Sequence, residues 1–314
     1  MKKNLKQLHA EFIEEQRYSA KLSPETLRGY QSAFDLLQKI IPTIDPETIS
    51  EKTMTEFFKQ LETRERMVGR GKIKKGVRKS TIATYRSKLN TFFEWLKRRG
   101  IIKKNPFNNM EYPDVRYEDI KFLKKEEVEK IITAITMNIK WANHLVQKRN
   151  MAIFCILLCC GLRKGELLGL KTYDIDLERK IITVRAETSK SKIERTIPLN
   201  SLAIRNLEDY VNERKKRNYS TSHFLVSNNR DDGFTSHGFK HLINLLNEKS
   251  GVNFHAHQLR HTFAINMLNQ GCDIAKLKQL MGHRDIRMTA VYLRCLPTSA
   301  MRQDVELLTL DNLI

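Results

Sequence analysis

Residues 257–264 read His257-Gln258-Leu259-Arg260-His261-Thr262-Phe263-Ala264, HQLRHTFA. Within a helix expected over 257–269, His257, Arg260 and His261 stand at i, i+3 and i+4 and share one face. Two histidines one turn apart also suit zinc. The zinc-protease helix needs Glu directly after the first histidine, and position 258 is Gln. No cysteine or carboxylate lies at a telling spacing, so no metal site is read here. Downstream, a helix near 273–281 runs into Gly282-His283, a helix-end turn of the kind that projects a side chain. Tyr292 follows nine residues after that histidine, in a helix expected around 286–294.

Working upstream, helices are expected over 201–217 and 235–249. Before them, 180–185 (KIITVR) and 193–199 (IERTIPL) read as two strands. A polar turn over 186–192 joins them and carries Ser189-Lys190-Ser191-Lys192. The apolar run 148–160 is a helix that stops at Gly161, and Leu162-Arg163-Lys164-Gly165-Glu166-Leu167-Leu168 follows directly. Another helix is expected near 124–136.

The first hundred residues read as helices. Ser23-Pro24-Glu25 is a start signal, with Ser as N-cap and Pro at the first helical position. Asp45-Pro46 repeats it, ahead of a short helix with Met54, Phe57, Phe58 and Leu61. Ser80 caps a strong helix whose stripe, Ile82, Tyr85, Leu89, Phe92, Phe93 and Leu96, is core rather than a platform for bases. Between them, 64–79 (RERMVGRGKIKKGVRK) holds three glycines, many cations and one acid, Glu65. It reads as a mobile loop, either a solvated linker or a phosphate-contacting strap built from Arg70, Lys72, Lys74, Lys75, Arg78 and Lys79. Pro106, Pro113 and mixed charge over 103–120 mark the domain boundary. The expected division is 1–112, a linker over 113–120, and 121–314.

Charge narrows the partner. The net charge is +20, and residues 1–117 carry 25 basic and 14 acidic side chains, a net of +11, leaving +9 for the rest. A surplus spread over both parts suits a polyanion. The five cysteines are an odd number without a CxxC pair, which fits a reducing compartment. The start, MKKNLKQLHAEF, has no apolar stretch of signal-peptide length, and no segment reaches membrane-spanning length. A cytoplasmic, nucleoid-associated protein with no membrane contact is expected.

Taken together, two arginines, a lysine, two histidines and a tyrosine suit metal-free phosphoryl transfer. Arginine forks clamp phosphoryl oxygens, His or Lys moves protons, and Tyr supplies a covalent nucleophile. There is no Gly-rich phosphate loop, no acidic cluster for Mg²⁺, and nothing that suggests a Ser or Cys nucleophile.

Order and spacing resemble the tyrosine recombinase (phage integrase) family. GLRKGELLGL resembles its first-arginine box and offers Arg163; SKSKIERTIPL resembles its β-hairpin and offers Lys190, with Lys192 as a competitor. HQLRHTFA offers His257 and Arg260, and LMGHRDIRMTAVYLR offers His283 and Tyr292. The resemblance is to compact two-domain members, Xer-like recombinases and transposon integrases. It implies a mainly α protein: an N-terminal helical SAM-like core-binding domain, then a mainly helical catalytic domain with a small antiparallel sheet. It also implies attack by Tyr292 on a phosphodiester, a 3′-phosphotyrosyl link and a freed 5′-hydroxyl, with no cofactor. Arg163 and Arg260 would hold the phosphoryl charge, Lys190 would protonate the leaving oxygen, His257 would act as acid or base, and His283 would bond the phosphate. Glu166 would orient an arginine and His261 would pack behind the site. The partners implied are double-stranded DNA with specific sites and a homotetramer, with or without an accessory protein. The tail 301–314, MRQDVELLTLDNLI, would dock on a neighbouring protomer or fold back on its own domain. A type IB topoisomerase, which uses similar chemistry without a tetramer, is the nearest alternative; an inactive DNA-binding protein and a zinc hydrolase are more distant ones.

Overall fold

The computed structural model describes residues 3–46, 48–69, 71–111, 120–228 and 230–298. The chain divides into two compact units, Met1–Tyr117 and Glu118–Ile314.

The first unit is built from α1 (Leu5–Tyr18), α2 (Pro24–Ile40), α3 (Glu51–Thr63) and α4 (Lys79–Arg98), with a two-stranded ribbon, β1 (Glu65–Val68) and β2 (Lys72–Lys75), between α3 and α4. Ser23 caps α2 by accepting from the Thr26 amide, with Pro24 at the first turn. The apolar stripes meet in one core of Phe12, Phe34, Leu37, Phe57, Leu61, Phe92, Phe93 and Leu96. His9 is buried in it, stacked on Phe34 with ring centroids 3.9 Å apart.

Three local expectations are corrected. Asp45-Pro46 forms a turn, the Thr48 and Ile49 amides bonding back to Asp45 O, and α3 starts later at the Ser50–Thr53 capping box. Arg78, not Ser80, is the N-cap of α4. The segment expected as a mobile loop is an antiparallel hairpin, Arg66 opposite Lys74 and Met67 opposite Ile73. Gly69 and Gly71, at φ of 59° and 76°, provide the left-handed backbone that a tight hairpin turn needs. Arg70 lies outside the described residues, as do residues 113–119 of the expected linker and the tail 301–314.

The second unit contains α5 (Lys125–Thr133), α6 (His144–Cys160), α7 (Lys164–Leu168), β3 (Ile175–Asp176), β4 (Ile181–Val184) and β5 (Arg195–Pro198). It continues through α8 (Ser201–Lys215), α9 (Ser236–Ser250), α10 (Ala256–Asn269), α11 (Ile274–Met281) and α12 (Arg287–Ala290). A π-helical turn, Ala134–Asn138, finishes the helix expected near 124–136. A 3-10 turn, Val291–Cys295, finishes the one expected around 286–294 and carries Tyr292. The sheet has order β3-β4-β5, antiparallel throughout, with Ile182 opposite Ile197 and Val184 opposite Arg195. β3 is too short to show a period and was not expected.

α6 is apolar on every side from Met151 to Cys160 and runs through the core, packed on α8 and α10. Two of its three cysteines, Cys155 and Cys160, are buried there, and burial pushes the Cys155 thiol up to about 12, so it packs as a small apolar group. Among the described residues no helix is long and apolar enough to cross a membrane.

Candidate active site

Three chain breaks build the site. α6 ends at Gly161, in the left-handed region at φ 61°, where a Cβ would meet the Phe263 ring at 2.3 Å. α11 ends in the same way at Gly282, φ 62°, where a Cβ would meet the Arg195 guanidinium at 2.8 Å. Between them, Arg163 is the N-cap of the one-turn helix α7, and its amide donates to Glu166 Oε2 at 2.9 Å.

The last carbonyls of a helix have no partner within it. At the end of α11 three arginines supply them. Arg195 Nε donates to Leu280 O at 2.7 Å, Arg260 Nη2 to Met281 O at 2.6 Å, and Arg163 Nη2 to Gly282 O at 3.4 Å. The negative end of the helix dipole favours cations there. Arg260, 1% exposed, also donates from Nη1 to Gly161 O at 2.5 Å, so both glycine-ended helices hold it. Burial, then the neighbouring Arg163, brings its pKa down to about 9.

Among the described residues Glu166 is the single carboxylate bonded to this group. It accepts from Arg195 at 2.7 and 3.1 Å and from Arg163 Nη1 at 2.9 Å. Burial pushes its carboxyl up, but the bonds and charges of Arg195 and Arg163 outweigh that and hold it below the ordinary carboxylate range. One carboxylate neutralises one of three guanidinium charges, so the group keeps a positive excess suited to an anion.

His283 is buried against this excess. Its Nε2 lies 3.0 Å from Arg260 Nη2 and its Nδ1 2.9 Å from Thr289 Oγ1. A guanidinium can only donate, so Nε2 accepts and the neutral ring carries its proton on Nδ1, donating to Thr289. Burial, then the charges of Arg260 and Arg163, push its pKa down to about 3. His257 is exposed on α10 with its pKa lowered by burial and by Arg260, His255, Arg163 and Lys190. Lys190 is exposed on the turn after β4, and its charge is the last of those that lower the His257 pKa. The turn is fixed by a Lys192 amide bond to Ser189 O and by Arg284, which donates to Ser191 O.

Tyr292 is 3% exposed, and burial raises its pKa. Its hydroxyl lies 2.9 Å from His261 Nδ1. The fold thus gathers Arg163, Glu166, Arg260, His283, His261 and Tyr292 from segments far apart in the chain, with His257 and Lys190 at the margin. Arg70, Lys72, Lys74, Lys75, Arg78 and Lys79 belong to the other unit.

Arg195 and Thr289 were not singled out from sequence. Arg195 shares the inward face of β5 with Ile197, and a charge at an inward strand position needs a buried partner. That pattern, with Glu166 already expected to orient an arginine, was the available signal. Thr289 had none. Among the described residues no three His, Cys, Asp or Glu side chains converge to hold a metal ion.

A helical first unit, and a second unit that gathers arginines, histidines and a tyrosine around one helix end, define the class: a tyrosine recombinase, which breaks and rejoins DNA strands. The chain belongs to the phage integrase family, which residues 121–298 match, while residues 4–112 match the phage integrase SAM-like domain. The tyrosine recombinase XerC of Bacillus pumilus is 30% identical over 225 residues, 69% of this chain and 71% of that protein. The XerC of Oceanobacillus iheyensis is 27% identical over 294 residues, covering 90% and 89%. Among solved structures, the Tn1549 transposon integrase in complex with transposon right end DNA matches with TM-score 0.74 at 21% identity, over 98% of this chain and 99% of that one. The XerH recombinase bound to its palindromic difH substrate matches with TM-score 0.71 at 18% identity, over 94% and 82%. These structural likenesses show the fold.

Proposed function

We propose that the chain cuts and rejoins duplex DNA at specific sites with Tyr292 as nucleophile. The Tyr292 oxygen bonds to phosphorus as His257 takes up its proton, the bond from phosphorus to the 5′-oxygen breaks, and Lys190 gives that oxygen its proton. The partner strand's 5′-hydroxyl reverses the step, so bond energy is kept. Arg163 and Arg260 hold the charge that grows on the phosphoryl oxygens, and Glu166, through Arg163 and Arg195, sets their positions. His257 moves a proton at the margin of the site. For His283 to donate to a phosphate, Nε2 needs a second proton, which the incoming negative charge favours.

The observation that carries this reading is the positive group at the end of α11, with a buried tyrosine hydroxyl on the adjoining turn. Residues 1–112 act as the core-binding domain, 113–120 as the linker and 121–314 as the catalytic domain. Four copies assemble on two sites, with the 301–314 tail passing to a neighbour; accessory factors are left to the particular DNA element. Trapping and sequencing the DNA covalently bound to the protein tests the reading. A tyrosyl adduct at a recurring sequence supports it; no adduct with any DNA overturns it. Relaxation of plasmids that lack the recurring sequence would instead indicate a topoisomerase. Deleting 303–314 should abolish pairing of two sites and spare single-site binding.

A further inference from the structure

We propose that the β1–β2 ribbon is a minor-groove probe, in which Met67 and Ile73 press against the DNA between phosphate contacts from Lys72, Lys74 and Lys75. The inference rests on the DNA-cutting reading above and adds which surface meets which groove.

The ribbon stands clear of its own unit. β2 is exposed along its whole length, and a Cβ placed on Gly69 or Gly71 would have nothing within 4 Å. Strand alternation puts Glu65, Met67, Ile73 and Lys75 on one face and Arg66, Lys72 and Lys74 on the other. Arg66 is half-buried and bonds the Gly76 carbonyl at 2.8 Å, which turns its part of that face toward the protein, while Lys72 and Lys74 on the same face stay exposed. On the free face Met67 is 80% exposed and Ile73 67%, directly opposite each other. Single exposed apolar side chains are ordinary. A cross-strand pair of them on a protruding ribbon costs solvation and gains nothing for the fold.

The surroundings select the occupant. Lysines along an edge strand discourage strand addition by another protein, and β2 carries Lys72, Lys74 and Lys75 against the ribbon's one acid, Glu65. A polyanion is the partner that matches. Base edges in the major groove are read by Arg or Lys on guanine, Asn or Gln on adenine and Asp or Glu on cytosine. The described free face has no amide side chain and no free arginine; Glu65 and Lys75 lie opposite each other at its base, and the apolar pair Met67 and Ile73 stands nearer the turn. Long cations beside apolar side chains that wedge against sugars or between base steps are the minor-groove combination. Such a wedge favours flexible pyrimidine–purine steps and bends the duplex.

The test uses the full chain, a duplex carrying the site mapped from the covalent adducts, and end-to-end energy transfer to report bending. The wild type should bend the duplex, and netropsin, which fills the minor groove, should compete. Met67→Ala/Ile73→Ala should melt like the wild type, bind roughly tenfold more weakly, lose the bend and keep the salt dependence. Lys72→Ala/Lys74→Ala/Lys75→Ala should instead flatten the salt dependence. Wild-type binding and bending in the apolar double variant would overturn the inference, as would binding insensitive to netropsin. If adducts form normally while both ribbon variants behave as wild type, the ribbon inference alone fails. If no adduct forms with any DNA, the functional reading fails with it.

Discussion

His261 Nδ1 sits 2.9 Å from the Tyr292 hydroxyl. Burial, then the neighbouring His257, push the His261 pKa down to about 4, while burial raises that of Tyr292. Near neutral pH the pair therefore shares one hydrogen between a neutral imidazole and a protonated phenol. Tyr292 is buried, so the proposed attack on a phosphate requires its hydroxyl to leave this partner.

Tyr292→Phe should bind DNA and form no covalent adduct, because only the hydroxyl is removed. A suicide substrate nicked near the cleavage site, run on a denaturing gel, checks this. An adduct at wild-type level would remove Tyr292 as nucleophile.

Lys190→Ala should slow cleavage, with rescue when the leaving 5′-oxygen is replaced by sulfur, since a thiolate departs without a proton. Lys192→Ala should show a milder defect and no rescue. Lys192 has positive φ, 55°, and its amide closes the turn. Rescue confined to the Lys192 variant would exchange the two roles.

Glu166→Ala should destabilise the protein by about 3–5 kcal/mol, the cost typical of removing one partner from a buried ion pair. Arg195 would be left with no carboxylate bonded to it. The lowered pKa of Glu166 means that its stabilisation is present above the ordinary value of 4.5 and is lost as pH falls through its lower folded value. Urea unfolding of wild type and variant at pH 7 checks the size. A loss under about 1 kcal/mol would place the carboxylate in the range of an exposed pair.

Stability should fall on acidification before the carboxylates titrate. His261 and His283 have folded pKa values of about 4 and about 3 against 6.5 unfolded. The unfolded chain binds more protons between those values. Their contribution is therefore complete above pH 6.5 and declines as pH drops toward 4 and 3. His9, at about 4 in the first unit, adds with the same sign. Urea midpoints measured from pH 7 to pH 5 should drop, and His283→Gln should show a shallower drop. An equal slope in that variant would mean His283 stays accessible to protons.

DNA binding should be steeply salt-dependent. Neutralising Arg70, Lys72, Lys74, Lys75, Arg78 and Lys79 should lower the slope by roughly 0.9 for each phosphate that no longer has a cation paired with it. Titrations at several salt concentrations measure it. An unchanged slope would make these residues solvated.

Much of the fold was legible because helix periodicity and caps are local. The stripe Leu89, Phe92, Phe93 and Leu96 lies in one core, and Ser23-Pro24 starts α2 where its signal stands. The ribbon was missed because its cations masked a strand signal that rests on two positive-φ glycines and one apolar cross-strand pair. The motif residues were legible by type and order: Arg163, Lys190, His257, Arg260, His283 and Tyr292 stand in the sequence at family spacing.

What each residue touches was decided only in three dimensions. Arg163 reaches Gly282 across 119 residues and Arg195 reaches Leu280 across 85. Nothing local to either arginine specifies those carbonyls. A buried guanidinium must find acceptors, and the end of α11 is where the fold leaves carbonyls free. The same requirement put Arg195 beside Glu166 and fixed the proton of His283 on Nδ1. Local sequence set which side chains stand at each cap and turn; the packing of α6 and α11 on α10, with Arg260 bonded to both helix ends, decided which of them meet.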